Sequence, residues 1–498
     1  MLRSKKLAGV AVTAVLAIGG ITAGSVAASA SSPKCGGSGS VSTLNGKLSD
    51  GATYTIQCPS GAWNGTLYLY SHGYVVPGAS NPAEDAGDPV TAAWMLAHGY
   101  ALAGSSYSTT GWAIAAAIPD QINTLNTFDS TYGKPKTTVA WGHSLGGIIT
   151  AGLLQDDASR FNAALPMCGV LSGGVATWNT ALDAAYAFQQ LIDPSIQIVN
   201  ISNGTANLQA AEAAVAAAQQ TASGRARLAL AAALADTPGW FTPLSAEPSA
   251  TDYTAQEANQ YLWDTEVTFP FIFDFRSDLE AKAGGNPSWN TGVNYASDLA
   301  KSVDLKEVKA LYASAGLSLS KDVSTLNGGK RISANQTAED WLIKNISFNG
   351  DISVPVLTMH TTGDGLVVPE NEQAYRSIVD AAGNGNLLRQ IFVNRAGHCA
   401  FTPAETITAV QTLENRLSTG TWNIPSPAAM NSQAAALGAT YNIYASGSTV
   451  TPTAPAFVSY SPAKYLRPFN LLPRRNQSGA PTFPGTPPGN FPSSPAFP

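Results

Sequence analysis

The sequence predicts an α/β protein built on a mostly parallel sheet with helices on both faces. Apolar stretches typical of buried strands alternate with stretches of helical spacing before residue 174, and the alternation returns after residue 350. Each such strand–helix–strand unit supplies the crossover connection that parallel pairing requires. The hydrophobic fraction of 44% is sufficient for a large core.

The first half of the chain supplies four strand candidates and the helices between them. The strand stretches are "GTLYLYSHGY", "YALAGSSY", "KTTVAWGHSLGG" and "FNAALPMCGV". Between them, "IPDQINTLNTFDSTYG" has apolar residues near helical spacing and ends at Gly133, and "IITAGLLQDD" follows the third strand. This order predicts consecutive βαβ units.

Residues 175–350 interrupt the alternation. They are rich in alanine and helical in pattern, as in "LQAAEAAVAAAQQTASGRARLALAAALA", and far too long for a connecting loop. We therefore expect a core in two parts, 31–174 and 351–424, with 175–350 inserted as a helical cap. Residues 425–498 are rich in Pro, Ser and Ala, which predicts a C-terminal tail whose last stretch is disordered.

The first 30 residues have the pattern of a cleavable signal peptide. Arg3, Lys5 and Lys6 precede a long apolar run, and the small-residue sequence Ala-Ser-Ala ends at Ala30. An uncleaved membrane anchor is the alternative, because the run is close to the length that spans a bilayer. Its many Gly, Ala and Thr residues favour export, so we predict a secreted protein with no membrane insertion after processing.

The composition of the chain limits the classes of ligand and partner that it is expected to bind. Charged residues make up only 12% of the chain, its net charge is −6, and no stripe of Lys and Arg is present. This argues against nucleic-acid binding. No CxxC pair is present, so a zinc site is not indicated, and we expect neither a metal nor an organic cofactor. We predict a monomer acting on a small-molecule or polymeric substrate.

The four cysteines are expected to form two disulfides. An even number in an exported chain is typical of disulfide bonding, and four cysteines allow three pairings. Cys35 and Cys58 are close in sequence, which favours their pairing and leaves Cys168 with Cys399.

Ser144 is the candidate nucleophile. It stands in G-x-S-x-G, after an apolar stretch of strand character and before a helix, which is the setting of a nucleophile elbow. Gly142 and Gly146 provide the clearance that this tight turn requires. A helix-capping serine is the alternative, but it would explain neither glycine.

A serine hydroxyl needs a general base, and the chain has only five histidines: His72, His98, His143, His360 and His398. His143 adjoins the nucleophile and should point away from it. His398 alone lies late in the chain, on a loop after a strand, so we predict it as the base.

Asp364 is the predicted acid that orients the base. It lies in a Gly-rich turn that follows the strand "ISVPVLTMH". Asp351 precedes that strand, at its wrong end, and Glu370 is more typical of the start of the next helix. The resulting chain order is Ser144, Asp364, His398.

Two backbone N–H groups are expected to form an oxyanion hole. Leu145 follows the nucleophile and supplies the first. The loop after "LYLYS" supplies the second, from Tyr74 or, as second choice, Gly73.

With these residues assigned, the chain resembles the α/β-hydrolase superfamily, and in particular secreted bacterial esterase- and lipase-like serine hydrolases. The stretches that carry the resemblance are "SHGY", "GHSLGG", "TTGDGLVVP" and "AGHC". The resemblance implies a mostly parallel, doubly wound sheet with the cap inserted after the sixth strand. It also implies the triad order given above.

Tannase and feruloyl-esterase relatives resemble the chain at one further point. They join cysteines adjacent to the catalytic serine and histidine. Here Cys399 follows His398, but His143 precedes Ser144, so the pattern is only half met. The resemblance therefore implies that Cys168 could supply the bridge to the histidine loop.

These features predict a secreted serine hydrolase that cleaves carboxylic esters through an acyl-enzyme. A secreted peptidase of the same fold is the alternative, and a non-catalytic surface binding protein is a further one. The acyl specificity stays open. Aromatic residues of the cap would form its own core or line an acyl pocket, and the core is favoured: Trp240, Phe241, Phe269, Phe271, Phe273 and Trp289.

Overall fold

The computed structural model describes residues 34–471. The predicted signal peptide and the terminal Pro-rich stretch lie outside these residues. Among the described helices, none has both the length and the apolar character needed to cross a membrane.

In the described part of the chain, nine strands form one mixed sheet and two more form a separate hairpin. The strands are β1 Ser42–Lys47, β2 Thr53–Cys58, β3 Thr66–Ser71, β4 Ala101–Ser105, β5 Thr137–His143, β6 Ala163–Met167, β7 Val356–Gly363, β8 Leu388–Ala396, β9 Ile443–Ser446, β10 Thr449–Pro452 and β11 Phe457–Val458. The order in the large sheet is β1-β2-β4-β3-β5-β6-β7-β8-β11. Pairing is parallel from β4 through β8 and antiparallel at both edges.

Within residues 34–471, fifteen α-helices connect and cover the strands. They are α1 Pro89–Ala97, α2 Ile114–Tyr132, α3 Leu145–Asp157, α4 Gly174–Leu191, α5 Gly204–Gln219, α6 Ala222–Ala233, α7 Tyr253–Trp263, α8 Arg276–Ala283, α9 Tyr295–Leu299, α10 Leu305–Ser314, α11 Leu319–Gly328, α12 Gln336–Lys344, α13 Glu370–Ala381, α14 Pro403–Thr419 and α15 Pro427–Ala436.

The sheet is buried on both faces, which is why its central strands are apolar throughout. Every residue of β3, β4 and β6 is buried. Alternate side chains of β3 enter different cores: Leu67 and Leu69 pack with α2 and α3, and Tyr68 and Tyr70 pack with α1 and α14. Both faces therefore require apolar residues, as expected of a parallel sheet covered by helices. The predicted doubly wound α/β-hydrolase fold is confirmed.

Helices α4 to α12 lie between β6 and β7 and form the predicted cap after the sixth strand. The cap has its own core, to which Phe188, Leu230, Phe273 and Tyr312 contribute. Between α7 and α8 the backbone is π-helical over Asp264–Thr268 and Pro270–Phe275. This wide winding is uncommon and concentrates at functional sites.

The segment after residue 424 differs in part from the predicted tail. It contains α15, the β9–β10 hairpin and β11, and β11 pairs with β8 through Phe457 and Val393. Phe457, Tyr465, Leu466 and Phe469 are all buried. A composition dominated by Pro, Ser and Ala conceals these few large side chains, of which Phe457, Tyr465 and Phe469 pack in the hydrophobic cores.

Candidate active site

Ser144 occupies a tight turn between β5 and α3. Its φ of 58° and ψ of −121° are strained for a residue with a side chain. A Cβ at Gly146 would overlap the Ser71 carbonyl oxygen, and one at Gly142 would lie 2.5 Å from the same oxygen. Both glycines thus allow the turn to press against the end of β3, which holds the hydroxyl at the carboxyl edge of the sheet.

The structure brings Ser144, His398 and Asp364 together. His398 follows β8, and its Nε2 lies 2.7 Å from Ser144 Oγ. Its Nδ1 lies 2.7 Å from Oδ2 of Asp364, which follows β7. The other carboxylate oxygen, Oδ1, accepts the N–H groups of Leu366 and Val367 at 3.0 Å each. These contacts fix the direction in which the carboxylate faces the imidazole.

Asp364 is held as an anion. Its side chain is fully buried, which alone would raise its pKa. The facing His398 and the nearby His360 outweigh burial and lower the pKa to about 2. An ionised carboxylate beside Nδ1 favours the tautomer in which Nε2 accepts the serine proton.

The rival residues lie elsewhere. Asp351 is exposed and contacts Asn384 at 3.4 Å, and Glu370 begins α13. His143 has its Nδ1 3.1 Å from Tyr70 Oη. Burial and the nearby His398 lower the pKa of His143 to about 4, so it is a neutral imidazole.

The two residues predicted for the oxyanion hole lie beside the serine. Leu145 is the first residue of α3, so its N–H is one of the four that a helix leaves without an internal acceptor. Gly73 and Tyr74 line the same cavity as Ser144. The Tyr74 ring packs against Phe271 of the cap at a centroid distance of 4.9 Å.

Both disulfides are present. Cys35–Cys58 joins the start of the described chain to the end of β2. Cys168–Cys399 has a Cα–Cα distance of 5.3 Å and joins the end of β6 to the residue after His398. Both residues of this second bridge have positive φ, 41° and 53°. The bridge therefore ties the His398 loop to the strand that neighbours β5, at whose end Ser144 lies.

A cavity of about 400 Å³ opens between the sheet edge and the cap, with Ser144 and His398 in its wall. Five aromatic side chains line it: Tyr74, Trp112, Trp178, Phe271 and Tyr465. Its lining residues include one carboxylate, Asp264, and neither Lys nor Arg. Burial raises the pKa of Asp264 to about 7, and Thr268 Oγ1 donates to its Oδ1 at 3.1 Å.

Most of the cap aromatics named from the sequence belong to protein cores. Phe269 and Phe273 pack in the cap core, Trp289 packs against Phe469, and Phe241 packs on Trp263. Trp240 is buried and donates to Ser245 O. Phe271 alone of the six lines the cavity.

Sequence reasoning did not assign four residues at or behind the site. Asp264 and Tyr465 line the cavity, and His360 and Glu372 lie behind Asp364. The π-helical winding at Asp264 and the docking of Tyr465 have no local sequence signal. Among residues 34–471, no three His, Cys, Asp or Glu side chains are grouped so that they could hold a metal ion.

Comparison with solved structures returns α/β-hydrolases at low similarity. The rice cell wall degrading esterase LipA from Xanthomonas oryzae is 13% identical, with 76% of this chain and 87% of that chain covered and a TM-score of 0.34. Feruloyl esterase B from Aspergillus oryzae is 13% identical, with 76% and 80% covered and a TM-score of 0.37. An acylaminoacyl peptidase from Pyrococcus horikoshii is 8% identical, with 78% and 42% covered and a TM-score of 0.35.

No family model matches the chain. Among curated proteins, the o-phthalyl amidase of Xanthobacter agilis is 30% identical over 422 residues, which span 78% of this chain and 90% of that protein. The chain is therefore a hydrolase of the α/β-hydrolase fold and belongs to the family of the Xanthobacter agilis o-phthalyl amidase.

Proposed function

We propose that this protein is an exported serine hydrolase that cleaves carboxylic esters through an acyl-enzyme. The observation that supports it most is the continuous hydrogen-bonded chain from Ser144 through His398 to the buried Asp364, which opens into the cavity. A hydroxyl, an imidazole and a carboxylate in this geometry are the parts that nucleophilic acyl transfer requires.

The reaction follows from the geometry. Ser144 Oγ attacks the carbonyl carbon while His398 Nε2 takes its proton, and Asp364 stabilises the imidazolium that forms. The N–H groups of Tyr74 and Leu145 stabilise the negative oxygen of the tetrahedral intermediate. His398 then protonates the leaving alcohol, and water repeats the sequence to release the acid.

Amides are the second candidate substrates, because the 30% identical relative is named an amidase. The same triad cleaves amides when the base protonates the leaving amine. The cavity contains the carboxylate of Asp264 and no cationic side chain among its lining residues. It is therefore suited to an uncharged acyl group, and poorly suited to one with a second, ionised carboxyl such as the phthalyl group.

Export is part of the proposal. The two disulfides are consistent with an oxidising compartment, since cytosolic thiols are kept reduced. The signal pattern of residues 1–30 supplies the route. Appearance of mature protein beginning after Ala30 in the medium of an expressing culture is the expected result.

Ser144→Ala tests the reaction. We expect the variant to retain the wild-type melting temperature and to lose hydrolysis of p-nitrophenyl esters by a factor of about 10³ or more. A fluorophosphonate probe should label the wild type and not the variant. A wild type that is not labelled would indicate a binding protein on a hydrolase scaffold, and a variant that keeps its activity would rule out Ser144 as the nucleophile.

A substrate panel separates esters from amides. Parallel kcat/KM measurements on short acyl esters, benzoyl esters and the corresponding amides, including a phthalyl amide, would rank the two leaving groups. Higher kcat/KM for amides than for their matched esters would overturn the ester assignment and leave the serine mechanism intact.

A further inference from the structure

Behind Asp364, on the side away from the cavity, lies a second histidine. His360 is on β7 and is fully buried. Its Nε2 lies 3.6 Å from Asp364 Oδ2, the oxygen that faces His398. Its Nδ1 lies 3.1 Å from Oε1 of Glu372, a fully buried residue of α13. Two buried carboxylates therefore flank one imidazole.

The hydrogen bonds assign a proton to each nitrogen of His360. Nε2 lies 2.7 Å from the Val367 carbonyl oxygen, which can only accept, so Nε2 is a donor. Glu372 Oε2 accepts hydrogen bonds from the Thr358 hydroxyl and the Gln390 side-chain amide, and donors of this kind favour an ionised carboxylate. Its Oε1 then accepts from Nδ1, and a histidine that donates from both nitrogens is an imidazolium.

Charge balance supports the same assignment. A neutral imidazole would leave the carboxylates of Asp364 and Glu372 buried without a cation between them, which is strongly unfavourable. Glu370, at the start of α13, also lies within electrostatic range of His360. Burial opposes the charge on His360, but the adjacent carboxyl groups of Asp364 and Glu372 outweigh it and raise the pKa to about 10.

We propose that His360 is a positioning residue: a buried imidazolium, anchored by Glu372, that holds the Asp364 turn and keeps its carboxylate ionised towards His398. The contact to Val367 O matters here, because the Val367 N–H donates to Asp364 Oδ1. His360 thus contacts the turn that carries Asp364 on the side away from the cavity. The same turn presents the Asp364 carboxylate to His398 on the other side. The inference rests on the catalytic role proposed for Ser144, His398 and Asp364.

The charge on His360 determines the direction in which its replacement should shift the pH profile of kcat/KM. Asp364 stabilises protonated His398, and the cation on His360 partly offsets that field. A neutral residue at position 360 removes the offset, so His398 should hold its proton to higher pH. The acid limb of the kcat/KM profile should then move to higher pH. A residue that only filled space would lower activity at every pH without moving the limb.

His360→Gln is the first test. We expect kcat to fall by about tenfold or more, as part of what an oriented general base contributes, with KM within about twofold. The acid limb should rise by about half a pH unit or more. His98→Gln is the matched control, since His98 also bonds a carbonyl oxygen, Trp94 O, at 2.7 Å but is exposed. It should leave both the rate and the limb unchanged.

His360→Gln leaves Glu372 without its cation, which destabilises the folded variant. The double variant His360→Gln/Glu372→Gln removes one charge of each sign and keeps polar groups at both positions. It should fold and still show the raised acid limb. A double variant with the wild-type limb would overturn the proposal.

Nitrogen-15 NMR of histidine-labelled protein provides a readout that is independent of activity. The His360 signals, assigned by their loss in the double variant, should be those of an imidazolium up to about pH 9. A neutral His360 at pH 8 would refute the inference. Failure of a fluorophosphonate to label the wild type would instead refute the proposed function, so the two outcomes are distinguishable.

Discussion

Asp264 is the single residue for which we predict a measurable effect on substrate choice. It is the carboxylate of the cavity lining, and burial raises its pKa to about 7. It is therefore mostly neutral at pH 6 and mostly ionised at pH 8. Inside a poorly hydrated cavity, an ionised carboxylate repels a second anion more strongly than it would in water.

We predict that the wild type prefers p-nitrophenyl benzoate over its 3-carboxy derivative and that this preference grows between pH 6 and pH 8. Asp264→Asn should raise kcat/KM for the anionic substrate several-fold, at the order of 1 kcal/mol expected for one partly screened charge. The variant should also abolish the pH dependence of the ratio of kcat/KM between the neutral and the anionic substrate. Glu266→Gln, an exposed change on the same π-helical segment, is the control. An Asn variant with the wild-type ratio at both pH values would contradict the prediction.

Sequence and structure agree at the residue scale wherever the chemistry has a local signal. Ser144 is recognisable because its glycines and flanking elements are adjacent in sequence, and His398 because so few histidines compete. His360 and Glu372 are only 12 residues apart, yet their contact depends on how α13 packs over β7. No periodicity or motif encodes that packing. The sequence therefore predicts the residues that face the cavity, such as Ser144 and His398, but not the pair behind Asp364, His360 and Glu372.

At the scale of elements, the Cys168–Cys399 bridge holds the histidine loop. The loop leaves β8 through Gly397, whose φ is 98°, and Cys399 has a φ of 53°. A backbone held in this uncommon conformation requires support from its surroundings. The bridge to β6 supplies that support beside the nucleophile turn, because β5 and β6 are neighbours.

We predict that Cys168→Ser/Cys399→Ser lowers kcat by about tenfold, with a smaller change in KM, because the base samples more orientations. Cys35→Ser/Cys58→Ser is the matched control: it removes a bridge of 23 residues separation, far from the serine, and should leave kcat unchanged. Stopped-flow or steady-state kinetics on both variants provide the comparison. Equal losses of kcat in the two variants would assign the bridge to stability alone.

The C-terminal segment shows how composition can give a misleading structural prediction. Residues 425–498 have the composition of a tail because Pro, Ser and Ala dominate them, yet β11 extends the sheet and Tyr465 reaches the cavity. Arg467 joins this segment to the cap through Asp183 at 2.8 Å. The average composition of the segment is insensitive to three or four large side chains that anchor it. Such tertiary contacts leave no pattern in the sequence.

At the scale of the whole molecule, the cap buries carboxyl groups that face one another. Burial raises the pKa of Asp236 to about 7 and those of Asp304 and Glu307 to about 8. Glu370 of the core also reaches about 8, with Asp236 and Asp304 adding to the effect of burial. Asp236 Oδ1 and Glu307 Oε1 have no hydrogen-bond partner among the described residues. Asp304, Glu307 and Glu370 are therefore mostly protonated in the folded protein at pH 7, and Asp236 is about half protonated.

These pKa shifts determine the direction in which the stability of the folded protein changes with pH. A carboxyl group whose pKa is raised on folding stabilises the folded state below its unfolded value near 4. That contribution is lost as the pH rises through the folded value. His360, with a pKa raised to about 10, acts in the same direction above pH 6.5. Asp364, with a pKa of about 2, acts in the opposite direction only below pH 4.

We therefore predict that the melting temperature falls continuously from pH 5 to pH 8.5, although the net charge of −6 is small. Asp304→Asn should flatten this slope, because it removes one group that must ionise. Glu212→Gln, an exposed change on α5, should leave the slope unchanged. Scanning calorimetry across the pH range provides the measurement. A melting temperature that rises towards pH 8.5, or an Asp304→Asn variant with the wild-type slope, would show that the cap carboxyl groups ionise freely in the folded state.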